Sequence, residues 1–178
     1  MKKLAIIAVL FVGLLAVWTV MAMAEETKGA KEAEKVAHEY VGAAKCKVCH
    51  KPQYTAWAET GHAKAFEGLS AEEKKKAECT GCHVTGTTAD TTLLEGVQCE
   101  ACHGPGSDYK SPTIKSKKKW AEDREAQKKL AIEAGLIYPK EENCTRCHKK
   151  EGNPNFKPFD FAKSKPLVHP VAAEKPME

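Results

Sequence analysis

CKVCH, residues 46–50, is the first of four copies of one five-residue unit. It returns as CTGCH at residues 79–83, CEACH at 99–103 and CTRCH at 144–148, and together the four units hold all eight cysteines of the chain. Each pair (Cys46 and Cys49, Cys79 and Cys82, Cys99 and Cys102, Cys144 and Cys147) is followed directly by a histidine: His50, His83, His103 and His148. The unit is the attachment signature of a c-type haem. Two thiols add across the vinyl groups of the macrocycle, and the adjacent imidazole is left to bind its iron. Paired cysteines also make zinc sites, disulfide frameworks and iron–sulfur clusters. None of these needs a histidine at the same offset after every pair. Four complete units with no stray cysteine therefore predict four covalently attached haem c groups, with the four unit histidines as iron ligands.

Outward from the units, the amino terminus reads as an address. Lys2 and Lys3 precede an apolar run over residues 4–20, and Ala22-Met23-Ala24 has the small-x-small form of a cleavage site. Residues 1–24 are expected to be a signal peptide, with an uncleaved membrane anchor as the alternative. Either form exports the body of the protein to a periplasmic or extracellular location, where haem is attached to such units. Loss of Lys2 and Lys3 with the leader leaves 26 basic against 24 acidic residues, a balance of +2 in place of +4. Eight haem propionates would then carry the holoprotein to about −6, so the lysines are no argument for nucleic acid.

Cleavage leaves 154 of the 178 residues, enough for one domain but not for a separate side-chain core and a wrapping around four macrocycles. The expected fold class is mainly α with much irregular structure, a small multihaem protein whose core is the four haems. Residues 25–39 form a charged, alanine-rich lead-in, residues 40–150 the tetrahaem domain, and residues 151–178 a tail rich in proline and lysine that wraps it.

Within the domain, Pro52 can open a helix after the first unit, and Gly61 weakens its continuation. Ser70 and Glu73 have capping-box spacing. The threonine- and glycine-rich stretch 84–98 suggests a loop or short hairpin, and the spacing of only twenty positions from Cys79 to Cys99 makes their haems expected neighbours. Gly104-Pro105-Gly106 is a rigid turn. Residues 117–134 read as the clearest helix, closed by Gly135, with Trp120, Leu130 and Ile132 as expected core contacts. Lys115, Lys117, Lys118 and Lys119 read as a solvated face, with docking of an acidic redox partner as the alternative.

The stretches CKVCHKPQYTAWAETGHAKAFEGL, CTGCHVTG and GVQCEACHGPG, followed at the expected distance by CTRCH, resemble the tetrahaem cytochrome c-554 family over roughly residues 40–149. The resemblance implies a mainly helical fold around closely packed haem pairs that works as an electron carrier. It implies that His62 is a distal ligand to the haem on His103, and that the haem on His83 has an open distal side. In one place the chain departs from the family pattern. A distal histidine for the first haem follows the Gly-Pro-Gly turn in the family, whereas residues 107–120 here contain none, and His38 is a candidate to replace it.

The ligand count stands without the resemblance. Beyond the four unit histidines only His38, His62 and His169 remain for four distal positions, and the only methionine after cleavage is Met177. One haem is thus expected to be open or completed by another group. The leading reading is a c-type cytochrome passing electrons between a donor and an acceptor redox protein. The alternatives are a haem enzyme that reduces nitric oxide, another small nitrogen oxide or peroxide, and a subunit of a conducting cytochrome polymer, so the protein is a monomer or part of a cytochrome assembly.

Overall fold

The computed structural model describes residues 37–168 of the chain. Short helices follow one another with long irregular connections between them. They are α1 (Ala43–Lys47), α2 (Lys51–Ala58), a 3₁₀ turn (Glu73–Lys75), α3 (Ala77–His83), α4 (Cys99–His103), α5 (Lys117–Glu122), α6 (Arg124–Glu133), α7 (Glu141–Thr145), α8 (Phe161–Ser164) and a last 3₁₀ turn (Lys165–Leu167). Among the described residues none of these helices is long and apolar enough to cross a membrane. The leader and His169 lie outside the described residues.

Local chemistry accounts for several boundaries. Pro52 lies in the first turn of α2, where its missing N–H costs nothing, and the helix stops at Ala58, ahead of Gly61. Ser70 and Glu73 form their reciprocal bonds, Ser70 N–H to Glu73 Oε2 at 2.8 Å and Glu73 N–H to Ser70 Oγ at 3.3 Å, yet a single 3₁₀ turn follows. Residues 84–95 make an antiparallel hairpin of β1 (Val84–Thr87) and β2 (Leu93–Glu95), pairing Gly86 with Leu94 and Thr87 with Leu93.

The stretch 117–134 is not one helix. Asp123 leaves the helical region (φ −149, ψ 90) and caps α6 by accepting the Ala126 N–H at 2.9 Å, which ends α5 at Glu122. The buried side of α6 is Gln127 and Ala131, while Leu130 and Ile132 are 45% and 48% exposed. The expectation of Leu130 and Ile132 as core contacts is corrected accordingly. Trp120 is half-buried and donates its indole N–H to the Ile114 carbonyl at 2.7 Å.

The side-chain core is small. Among the described residues its apolar members are Ala43, Phe66, Leu94, Tyr109 and Ala131, and the largest fully buried side chain is a carboxylate, Glu100. Burial of apolar area at about 25 cal/mol per Å² has little to act on here. The fold rests instead on hydrogen-bonded clasps between segments, and those clasps position the four units.

Candidate haem sites

Each unit closes on one helical turn. The His50 amide donates to the Cys46 carbonyl at 2.9 Å and the His148 amide to the Cys144 carbonyl at 2.9 Å, while CTGCH ends α3 and CEACH is the whole of α4. Residues spaced i, i+3 and i+4 share one face of such a turn. Both thiols and the imidazole of a unit therefore project to the same side, as attachment to one macrocycle requires. All eight cysteines are free thiols, available for thioether formation.

The histidines are held for iron as well. His83 Nδ1 lies 2.6 Å from the Ala65 carbonyl, and His103 Nδ1 lies 3.0 Å from the Ile137 carbonyl. A carbonyl only accepts, so Nδ1 carries the proton and Nε2 keeps its lone pair for a metal. His148 is held differently. Its ring stacks on Phe159 with centroids 4.7 Å apart, and His62 stands edge-on to it at 5.9 Å. His50 sits at the start of α2 as its N-cap residue.

The units meet across the molecule. Cys46 of the first hydrogen-bonds with Cys99 of the third; that bond and then burial push the Cys46 thiol up, while at Cys99 the same bond outweighs burial and pushes the thiol down. Cys82 of the second is pushed up by burial and then by its hydrogen bond with Cys147 of the fourth. These directions describe the chain before haem attachment, because a thioether does not titrate. The contacts join units one with three and two with four. The second and third units are tied by the hairpin between them, through the Gly96 amide donating to the His83 carbonyl at 3.0 Å. Arg146 of the fourth donates to the Ala101 carbonyl of the third at 3.2 Å.

A cavity of about 520 Å³ opens where three units converge, lined among others by His62, Cys82, His83, Cys102, Cys147 and His148. Its volume lies in the usual range of cofactor sites, roughly 300–1,000 Å³. His62 is thereby placed among the units, and burial first, then the charge of His148, lowers its pKa and holds it neutral, the form that ligates metal. Among the described residues no three His, Cys, Asp or Glu side chains converge to hold a metal ion directly. The donor set suits an iron brought in its own macrocycle, with the chain supplying thioethers and axial imidazoles.

Sequence reasoning missed several residues of this region. Glu100 fills a variable position of the third unit, yet its carboxylate accepts from the Val41 amide at 3.0 Å, the Gly42 amide at 2.7 Å and the Gly106 amide at 2.6 Å. Tyr109 donates its hydroxyl to the Gly104 carbonyl at 2.8 Å, and burial pushes that phenol up. Phe159 and Asp108 are the others. The run CEACHGPG carries the signal for Glu100, since an acid four residues ahead of a glycine-proline turn has amides within reach.

Comparison with known proteins agrees with this geometry. The family model described as cytochrome c554 and c-prime matches residues 45–104, which hold three of the four units. The cytochrome c-554 of Nitrosomonas europaea is 33% identical over 141 residues, covering 65% of this chain. The match spans 60% of that relative's length. A solved structure of reduced cytochrome c554 from the same organism superposes with a TM-score of 0.50 at 27% identity, over 74% of this chain and 79% of that one.

Proposed function

We propose that the chain, which is similar to cytochrome c-554, is a member of that tetrahaem family and an exported electron carrier that passes electrons between two redox proteins. The observation that carries this reading is the contact between units, Cys46 with Cys99 and Cys82 with Cys147. Thioether positions in contact require neighbouring macrocycles, and haem supplies reversible one-electron chemistry when bound. The chain's own residues set the rest. Protons held at Nδ1 of His83 and His103 by backbone carbonyls make Nε2 a stronger donor, which favours the ferric state and lowers the potential. His62, kept neutral by burial, would supply an imidazole to one of the irons, and the resemblance names the haem on His103.

The tail takes part through Phe159, whose stacked ring fixes the plane of His148. A monomer carrying four haems is the expected unit. The test is reduction of the purified holoprotein followed by mixing with a second oxidised c-type cytochrome of lower charge. Fast, salt-dependent re-oxidation of all four haems supports the carrier. Slow exchange beside rapid turnover of nitric oxide or peroxide would replace it with the enzyme reading.

A further inference from the structure

His38 and Asp108 stand 70 positions apart in the chain, yet His38 Nδ1 lies 2.7 Å from Asp108 Oδ2. A carboxylate accepts, so the imidazole donates from Nδ1 and keeps the Nε2 lone pair. The pair is built into the fold on three sides. Next to His38, the Glu39 amide donates to Ser107 Oγ at 2.9 Å and the Ser107 amide donates back to the Glu39 carbonyl at 3.1 Å. Two residues further on, Glu100 holds the Val41 and Gly42 amides. On the third side the ring lies on Gly135, where an added Cβ would fall 2.7 Å from its Cδ2, at a φ of +94.

We propose that His38 is the distal axial ligand of the haem carried by Cys46 and Cys49, and that Asp108 is the positioning residue that aims it. This rests on the reading of the units as haem sites and deepens it. The carboxylate–histidine arrangement is the one metal-bound imidazoles use to fix tautomer and orientation. The choice of iron follows from sidedness. His103 turns Nδ1 toward the Ile137 carbonyl, so its Nε2 points away from the segment 135–137, whereas His38 packs on Gly135 of that segment. The third iron is out of its reach. The second and fourth units, Cys82 with Cys147, close around the cavity that His62 lines and His38 does not. The first unit remains. It begins eight residues after His38 and touches the third unit at Cys46 and Cys99.

The experiment is spectroscopy of the holoprotein with all four haems confirmed by mass. His38→Ala should convert one additional haem in four from low-spin to high-spin, raise carbon monoxide bound to the reduced protein by one per chain, and recover the low-spin state with free imidazole. His38→Ala with His62→Ala should add the two losses, since the sites are separate. Asp108→Asn should keep every low-spin haem and raise one midpoint potential, because a weaker acceptor leaves the imidazole a poorer donor. If His38→Ala does not mature, His38→Met and Asp108→Asn still decide, with one potential raised in each. Unchanged spin states and carbon monoxide stoichiometry in a fully loaded His38→Ala, or unchanged potentials in Asp108→Asn, overturn the proposal. Failure of the carrier reading looks different, as intact ligation with no electron exchange.

Discussion

The half of the molecule around the first and third units is clasped, and the half around the second and fourth is open. Glu100, 1% exposed, binds three backbone amides of the clasped half, and Ala43, Leu94 and Tyr109 are buried nearby along the chain. In the open half, residues 141–168 contain no buried residue at all, and the cavity of about 520 Å³ occupies the space between units. The difference teaches what the haems do for folding. Where protein hydrogen bonds close the structure, a macrocycle is added to an existing frame. Where they do not, the macrocycle is the frame.

The sharpest way to break this contrast is to remove one haem from each half. Cys144→Ser with Cys147→Ser should lose one haem by mass and leave residues 141–168 without protection in hydrogen exchange. Residues 39–42 and 98–109 should stay protected. The matching variant of the first unit, Cys46→Ser with Cys49→Ser, should leave the segment clasped by Glu100 largely protected. Equal loss in both variants would show that the two halves depend on haem alike.

The clasp itself is the next largest effect. Glu100→Ala strands the buried Gly42 and Gly106 amides and the half-buried Val41 amide, at about 1–3 kcal/mol for each buried group, so a loss of about 2 kcal/mol or more is expected in denaturant unfolding of the holoprotein. Glu100→Gln should lose less, since its carbonyl still accepts. In the open half, His62→Ala should change spectra more than stability. One low-spin haem is expected to become high-spin and its midpoint potential to rise, as an imidazole donor is removed. An unchanged spectrum would make His62 a packed side chain.

The halves differ in how much of them the sequence discloses. The units, their helical turns, the hairpin over residues 84–95 and the cap at Gly135 follow from short-range rules, and so they are legible. Three features are not. Glu100 looks like a solvated charge because its partners, Val41 and Gly42, are nearly sixty residues away. His38 is legible only as one of three spare histidines, because its partner Asp108 lies 70 positions away in the chain. The break at Asp123 was hidden by good helix formers on both sides, and the aspartate won by capping α6. The exposure of Leu130 and Ile132 has the same root as the small core, for apolar side chains here do not pack on a protein interior of ordinary size.

A last, smaller effect separates the two carboxylates that hold backbone amides ahead of or within a unit. Glu100 is buried, whereas Glu73, which caps the turn leading into α3 and the second unit, is only half-buried. Hydrogen bonds from Ser70, side chain first and then backbone, hold the Glu73 carboxyl below its ordinary value of 4.5. A depressed carboxyl pKa means that the unfolded chain takes up the proton first. Its contribution is therefore fully present above about pH 4.5 and is lost as pH falls through the lower folded value. Hydrogen exchange of residues 70–76, corrected for the intrinsic pH dependence, should show weaker protection at pH 3 than at pH 6. Glu73→Gln should remove that pH dependence while retaining part of the protection, because an amide oxygen still accepts from Ser70. If residues 70–76 keep constant protection down to pH 3, the cap is not what starts α3, and the second unit is held by its haem alone.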